Sequence, residues 1–121
     1  MAKPGPEFFS AFRFTVGNGE TEIGVLRVDV GPTADSLRIW RGISDEHQPM
    51  FAEVFDMAAQ KEHPGSLRFC IHLFNRNQEK ARTYRYECEA FEVIPVIRLD
   101  AIDSGVALEG LELRGVRLLS K

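Results

Sequence analysis

The side chains that could carry chemistry are few in this chain, and their spacing suits none of the common reactions. Three histidines (His47, His63 and His72), two cysteines (Cys70 and Cys88) and a Ser44-Asp45 pair are the candidates for metal binding or nucleophilic catalysis. There is no C-x-x-C, and no two histidines stand at an interval that puts both on one face at metal-ligand distance. Ser44-Asp45 has no neighbouring base and reads as a helix cap, with Asp45 and Gln48 at capping-box spacing. Gly17-Asn18-Gly19 is no phosphate loop, because neither a P-loop lysine nor a helix follows it. It reads as a tight hairpin turn. Glu87, Glu89 and Glu92 read as a solvated strand face rather than an acid–base pair. Tyr84-Arg85-Tyr86 has the character needed to stack on bases, yet carboxylates surround it. No catalytic, cofactor-binding or metal-binding residue is assigned, and nothing supports an enzyme.

Composition narrows the class further. The chain has 121 residues, 44% hydrophobic and 27% charged, which is ordinary globular composition for one domain with a real core. Fifteen Lys and Arg against eighteen Asp and Glu leave a formal charge of −3, which argues against a partner held mainly by phosphate contacts. No apolar run is long enough to span a membrane. Residues 1–7, with Pro4, Gly5 and Pro6, lack the apolar core of a secretory signal and are expected to form a flexible arm. A cytoplasmic chain keeps its thiols reduced, so Cys70 and Cys88 are expected to be free. A hairpin centred near residues 77 and 78 places Cys70 opposite residue 85, about three positions from Cys88, which is too far for a disulfide.

The elements that must position these residues are mostly strands. Phe12, Phe14 and Val16 alternate with polar residues ahead of the Gly17-Asn18-Gly19 turn. A second strand runs from Thr21 to Val30, and Gly31 to Ser36 is a short connection. In the third, Leu37, Ile39, Arg41 and Ile43 share one face against Arg38 and Trp40. The period then changes: Met50, Phe51, Val54, Phe55 and Ala58 form the stripe of an amphipathic helix of about four turns, stopped by Lys61-Glu62-His63-Pro64-Gly65. Leu67, Phe69, Ile71 and Leu73 face one way on the next strand, Arg68, Cys70, His72 and Phe74 the other. Asn75 to Lys80 turns the chain into a return strand from Ala81 to Val93. Ile94 to Leu99 is short and apolar, and the last strand, Val106 to Leu119, is expected to bend at Gly110 and Gly115. The sum is a mainly β fold: an antiparallel barrel or sandwich of six to seven strands with one flanking α-helix, a single domain over residues 8–121.

In this order the segments resemble the phage tail tube protein family, which includes the tube subunits of extracellular contractile injection systems. Ala11-Phe12-Arg13-Phe14-Thr15-Val16 is similar to its first strand. Leu37-Arg38-Ile39-Trp40-Arg41-Gly42-Ile43-Ser44-Asp45 is similar to its strand-to-helix junction, and Gly105-Val106-Ala107-Leu108-Glu109-Gly110-Leu111-Glu112-Leu113 to its last strand. The likeness covers about residues 8 to 119.

The resemblance implies a structural subunit whose hexameric rings join sheet to sheet and stack into a conduit. It implies sheath and baseplate or spike proteins as partners, and DNA or protein cargo passing through the lumen without specific binding. It also implies assembly in the bacterial cytoplasm as part of a virion or injection particle. Family members usually carry a longer excursion between the second and third strands that reaches the adjacent ring; here Gly31 to Ser36 stands in its place. A tube initiator, adaptor or terminator, or a type VI secretion Hcp-like hexamer, is the alternative on that account. A monomeric β-barrel binding module is the alternative of another class. If sheets join at the second strand, a proline at Arg27 is expected to block the joint.

Overall fold

The computed structural model describes residues 8–17, 19, 21–46, 49–62, 67–79, 81–100 and 106–120. The arm expected at residues 1–7 and the histidines His47 and His63 lie outside them. Among the described residues ten strands and one helix follow in the order β1 (Phe9–Val16), β2 (Thr21–Ile23), β3 (Arg27–Val30), β4 (Leu37–Gly42), α1 (Phe51–Glu62), β5 (Arg68–Asn75), β6 (Ala81–Glu87), β7 (Ala90–Val93), β8 (Arg98–Asp100), β9 (Val106–Arg114) and β10 (Arg117–Ser120). They form two antiparallel sheets, one in the order β10-β6-β5-β1-β2 and the other β3-β4-β9-β7, with β8 also paired to β9. The mainly β architecture with one flanking helix is therefore the observed one.

The strand count exceeds the expected six to seven because long strands cross from one sheet to the other and break at the crossing. The run from Thr21 to Val30 leaves the first sheet after Ile23 and enters the second at Arg27. The return strand from Ala81 breaks at Cys88 and Glu89, and the last strand breaks at Gly115 and Val116. These two breaks sit side by side, since Glu87 pairs with Arg117 in one sheet and Ala90 with Arg114 in the other. Gly115 makes the corner possible: its φ is +64°, and a Cβ there would fall 2.6 Å from Glu89 Cγ. Gly110 does not bend the chain as expected. It stays within β9, where its missing side chain lets the Trp40 ring and Ile94 close over the backbone.

Alternation places the core as read from sequence. Phe14, Val16 and Phe69 from the first sheet meet Ile39, Leu111 and Leu113 from the second, with Phe12, Leu67 and Ile71 packed around them. Phe14 stacks on Phe69 at 5.2 Å and Phe69 on Tyr86 at 5.1 Å, so the three central strands share one aromatic ladder. The helix lies against both sheets through Phe51, Phe55, Ala58 and Ala59, and Phe55 meets Phe91 edge-on at 5.1 Å.

Its start differs from the expectation. The helix begins at Phe51, giving about three turns rather than four, with Met50 C=O accepting the first Val54 N–H at 3.1 Å. The entry is pinned from the sheet instead of being capped by Ser44-Asp45. Arg41 Nη2 donates to Pro49 C=O at 2.7 Å, stacks over the Phe51 ring and pairs with Glu109. Ser44 Oγ accepts Glu46 N–H at 3.3 Å in a bend ahead of the helix. Met50, placed in the buried stripe by its spacing, is 54% exposed.

Candidate assembly edges

The residues singled out for chemistry are dispersed. His72 Nε2 and Nδ1 meet Thr15 Oγ1 at 2.8 Å and Thr83 Oγ1 at 2.9 Å, so the ring bridges three strands of the first sheet. Burial, then the Arg85 and Arg13 guanidiniums, hold its pKa below the ordinary histidine value against the pull of Glu22. Cys70 pairs with Arg85, as the hairpin centre predicts, and both thiols are free and buried. Cys88 falls at the opposite parity, inside the core, where burial pushes its thiol up to about 12. Glu87 pairs with Arg117 and Glu92 with Arg114. The Tyr86 ring of the Tyr84-Arg85-Tyr86 run is spent on the core stack. Among the described residues no three His, Cys, Asp or Glu side chains gather as a metal site, and no helix is long and apolar enough to cross a membrane.

What the fold concentrates, among the described residues, is open strand edge. The second sheet ends at β3 on one side and at β7 and β8 on the other. Hydrogen-bond phase decides which backbone groups those edges offer. Ile43 N–H donates to Ala107 C=O at 2.8 Å on one side of β9, and Ile94 N–H donates to Gly110 C=O at 3.1 Å on the other. Gly31 N–H donates to Ser36 C=O at 2.9 Å between β3 and β4. In an antiparallel ladder successive residues turn their N–H and C=O alternately towards and away from a given neighbour. Carried along the registers, this phase turns Arg27 and Asp29 towards β4 and leaves Val28 and Val30 facing out. On the opposite edge Phe91, Val93 and Leu99 face out. Arg27 is thus turned inward, and the position where a proline strikes an outward N–H is Val30.

The side chains at these edges repeat the message. Val28 pairs with Ile39 and Ile39 with Leu111, so Val28 and Val30 lie on the core side of their strand. Yet Val30 is 78% exposed, and Leu99 on the other edge is 77% exposed, with Val93, Val96 and Ile97 also uncovered. Core-facing apolar side chains run out past the molecule's own core at both ends of one sheet.

The other face of this sheet is charged and ordered. Asp29 accepts from Arg27 Nε at 2.7 Å, from Trp40 Nε1 at 3.0 Å and from Arg98 Nη1 at 3.1 Å, while Arg98 stacks over the Trp40 ring. Burial works against the ionised Asp29 carboxyl, but Arg27, Trp40 and Arg98 together outweigh it and hold its pKa below the usual range. Glu112 takes Arg114 Nε at 2.8 Å and Arg38 Nε at 3.2 Å, and its pKa is lowered chiefly by the Arg114 hydrogen bond. Sequence reasoning singled out neither network. A signal was present only for a separate pair on the core side of the sheet: Arg41 among Leu37, Ile39 and Ile43 is an arginine on an apolar face that needs a partner, and Glu109 lies opposite. The Asp29 network had no comparable signal, because Arg98 reaches it from across the sheet. Comparison of the chain with protein-family models, curated proteins and solved structures returned no match.

Proposed function

We propose that this chain is a structural subunit of the inner tube of a phage tail or contractile injection system, joining edge to edge in hexameric rings that stack into a conduit. The observation that carries the reading is the pair of open, apolar-lined edges on the second sheet. Three antiparallel pairings separate them, so β3 and β7 run in opposite directions. A head-to-tail contact between copies therefore continues the antiparallel ladder, and head-to-tail contacts close rings when the rotation allows. Closure removes two edges that would otherwise template aggregation. The charged face of the same sheet, with every described carboxylate matched to an arginine, suits a water-filled lumen; the sequence resemblance supplies the six-fold count. Sheath and baseplate or spike proteins are the partners this reading implies, with DNA or protein cargo passing through.

One observation favours a second reading within the same class. Residues 31–36 form a compact turn in which Ser36 Oγ donates to Thr33 C=O at 3.1 Å, leaving no long loop there to bury surface against a second ring. A single-ring role, as tube initiator, adaptor, terminator or Hcp-like hexamer, follows if stacking needs that loop. Sedimentation velocity with negative-stain imaging over a concentration series tests the proposal. Wild-type protein is expected as hexamers, or as longer tubes if rings stack. Val30→Pro is expected to stay a folded monomer, since its ring removes an outward N–H. Strictly monomeric wild-type protein at high concentration would overturn the tube reading and favour a binding module.

A further inference from the structure

We infer that the joint between subunits sets Val28 of one copy opposite Val93 of the next and Val30 opposite Phe91, an inference that rests on the edge-to-edge reading above. Two constraints lead to it. The first is backbone phase: the groups turned outward are those of Val28 and Val30 on one edge and of Phe91 and Val93 on the other. Opposed residues of an antiparallel ladder exchange bonds in alternate pairs, so the edges join where these residues meet one another. The second is side-chain parity. All four side chains lie on the core side of their strands, since Val28 pairs with Ile39, Phe91 with Leu113 and Val93 with Leu111. Directly opposed side chains share a face, so a register that satisfies the backbone also keeps the two cores on one side of the continued sheet. Had phase and parity disagreed, the next copy would be turned inside out.

Three registers bring at least one such pair together, and the residue opposite Val93 tells them apart. With Leu26 there, Val28 meets Phe91 but Val30 runs past the end of β7 to face Glu89. With Val30 there, Val28 falls opposite Pro95, which has no N–H to give. With Val28 there, all four outward residues enter hydrogen-bonded pairs, and apolar side chains oppose each other in both. Phe91 then covers Val30, 78% exposed in the single copy, and the exposed Leu26 comes level with Pro95, next to the exposed Val96. One contact opposes this register: Asp29 faces Glu92 on the side away from the core, and like charges directly across a strand pair repel. The repulsion is weak, because Arg27 and Arg98 pair with Asp29 and Arg114 with Glu92, whose side chain is more than half exposed to water and salt.

A cysteine scan tests it. Val93→Cys is combined in turn with Leu26→Cys, Val28→Cys or Val30→Cys, and each double variant is oxidised at a concentration where rings form. A hydrogen-bonded pair holds its Cα atoms about 5.5 Å apart, within the span of a disulfide, whereas a shift of two residues takes them to about 7–8 Å. Cys70 and Cys88 are buried and stay out of the reaction. Circular dichroism and the denaturant midpoint establish that each variant folds. The Val28→Cys combination alone is expected to give a ladder of covalent oligomers on a non-reducing gel. A ladder from the Leu26→Cys or Val30→Cys combination instead overturns the register and leaves the edge-to-edge reading standing. Glu92→Gln reads the same register if a cysteine variant fails to fold. Removing the carboxylate that faces Asp29 is expected to lower the concentration needed for ring formation about twofold, and an unchanged or raised concentration overturns the register. Rings that give no ladder with any folded combination, or wild-type protein that never assembles, overturn the register and the edge-to-edge reading together.

Discussion

Gly110 and Trp40 make the most direct test of the packing described above, because the chain's sole tryptophan reports on it. A methyl group placed on Gly110 would fall 2.7 Å from Trp40 Cζ3 and 2.8 Å from both Trp40 Cε3 and Ile94 Cδ1, all inside van der Waals contact. The backbone of β9 cannot retreat, since it is bonded to β4 on one side and to β7 and β8 on the other. The indole must move instead. Trp40 is only 6% exposed, and moving it loosens the Nε1 bond to Asp29 and the stack with Arg98. Overpacking of this kind costs about 1–3 kcal/mol, and loss of a charge-assisted hydrogen bond adds about 1–2 kcal/mol. Gly110→Ala is therefore expected to destabilise the monomer by about 2–5 kcal/mol in urea titration, with an unchanged m value and a red-shifted tryptophan emission. Trp40→Phe removes the far part of the indole, so the double variant should cost about 1 kcal/mol or more less than the sum of the two single ones. A Gly110→Ala loss below about 0.5 kcal/mol with unshifted emission would refute the close-approach account of this glycine.

Phe55→Ala removes a fully buried ring that meets Phe14 and Phe91, and a loss of about 3–5 kcal/mol in denaturant titration is expected; a loss under about 1 kcal/mol would mean the helix does not seal this core. His72 has a lower pKa folded than unfolded, so its contribution is complete above about pH 6.5 and is lost as the pH falls from there through the folded value. Stability should drop between pH 7 and 5.5 in the wild type and not in His72→Gln, whereas Asp29 and Glu112, with lowered carboxyl pKa values, act only at lower pH; equal slopes in the two proteins would sink the assignment. Cys70 and Cys88 should both resist alkylation at pH 8 in the native protein and both titrate once it is denatured, while zero thiols in denatured, unreduced protein would show an unforeseen disulfide.

Local pattern determined a good part of this molecule. The alternation of Phe12, Phe14 and Val16, and of Leu67, Phe69, Ile71 and Leu73, set their faces correctly because a strand's period of two is a property of the backbone itself. The placement of the Asn75 to Lys80 turn predicted the pairing of Cys70 with Arg85, since a hairpin's register follows from its turn. The helix ends where Lys61 and Glu62 give way to His63-Pro64-Gly65. Its start was not legible: Ser44-Asp45 has the composition of a cap, but Arg41, placed by β4 and held by Glu109 from β9, takes the Pro49 carbonyl and sets the entry instead. Neither was the division of long strands between two sheets, because a corner depends on which strand lies beside it, as Gly115 lies beside Glu89. The candidate site shows the same boundary most sharply. Val30 and Leu99 look like any other alternating apolar residues in sequence; only the order of strands in the sheet makes them edges. Periodicity is encoded within a few residues, whereas an edge is defined by the neighbour a strand lacks, and that is decided by contacts between residues far apart in the chain.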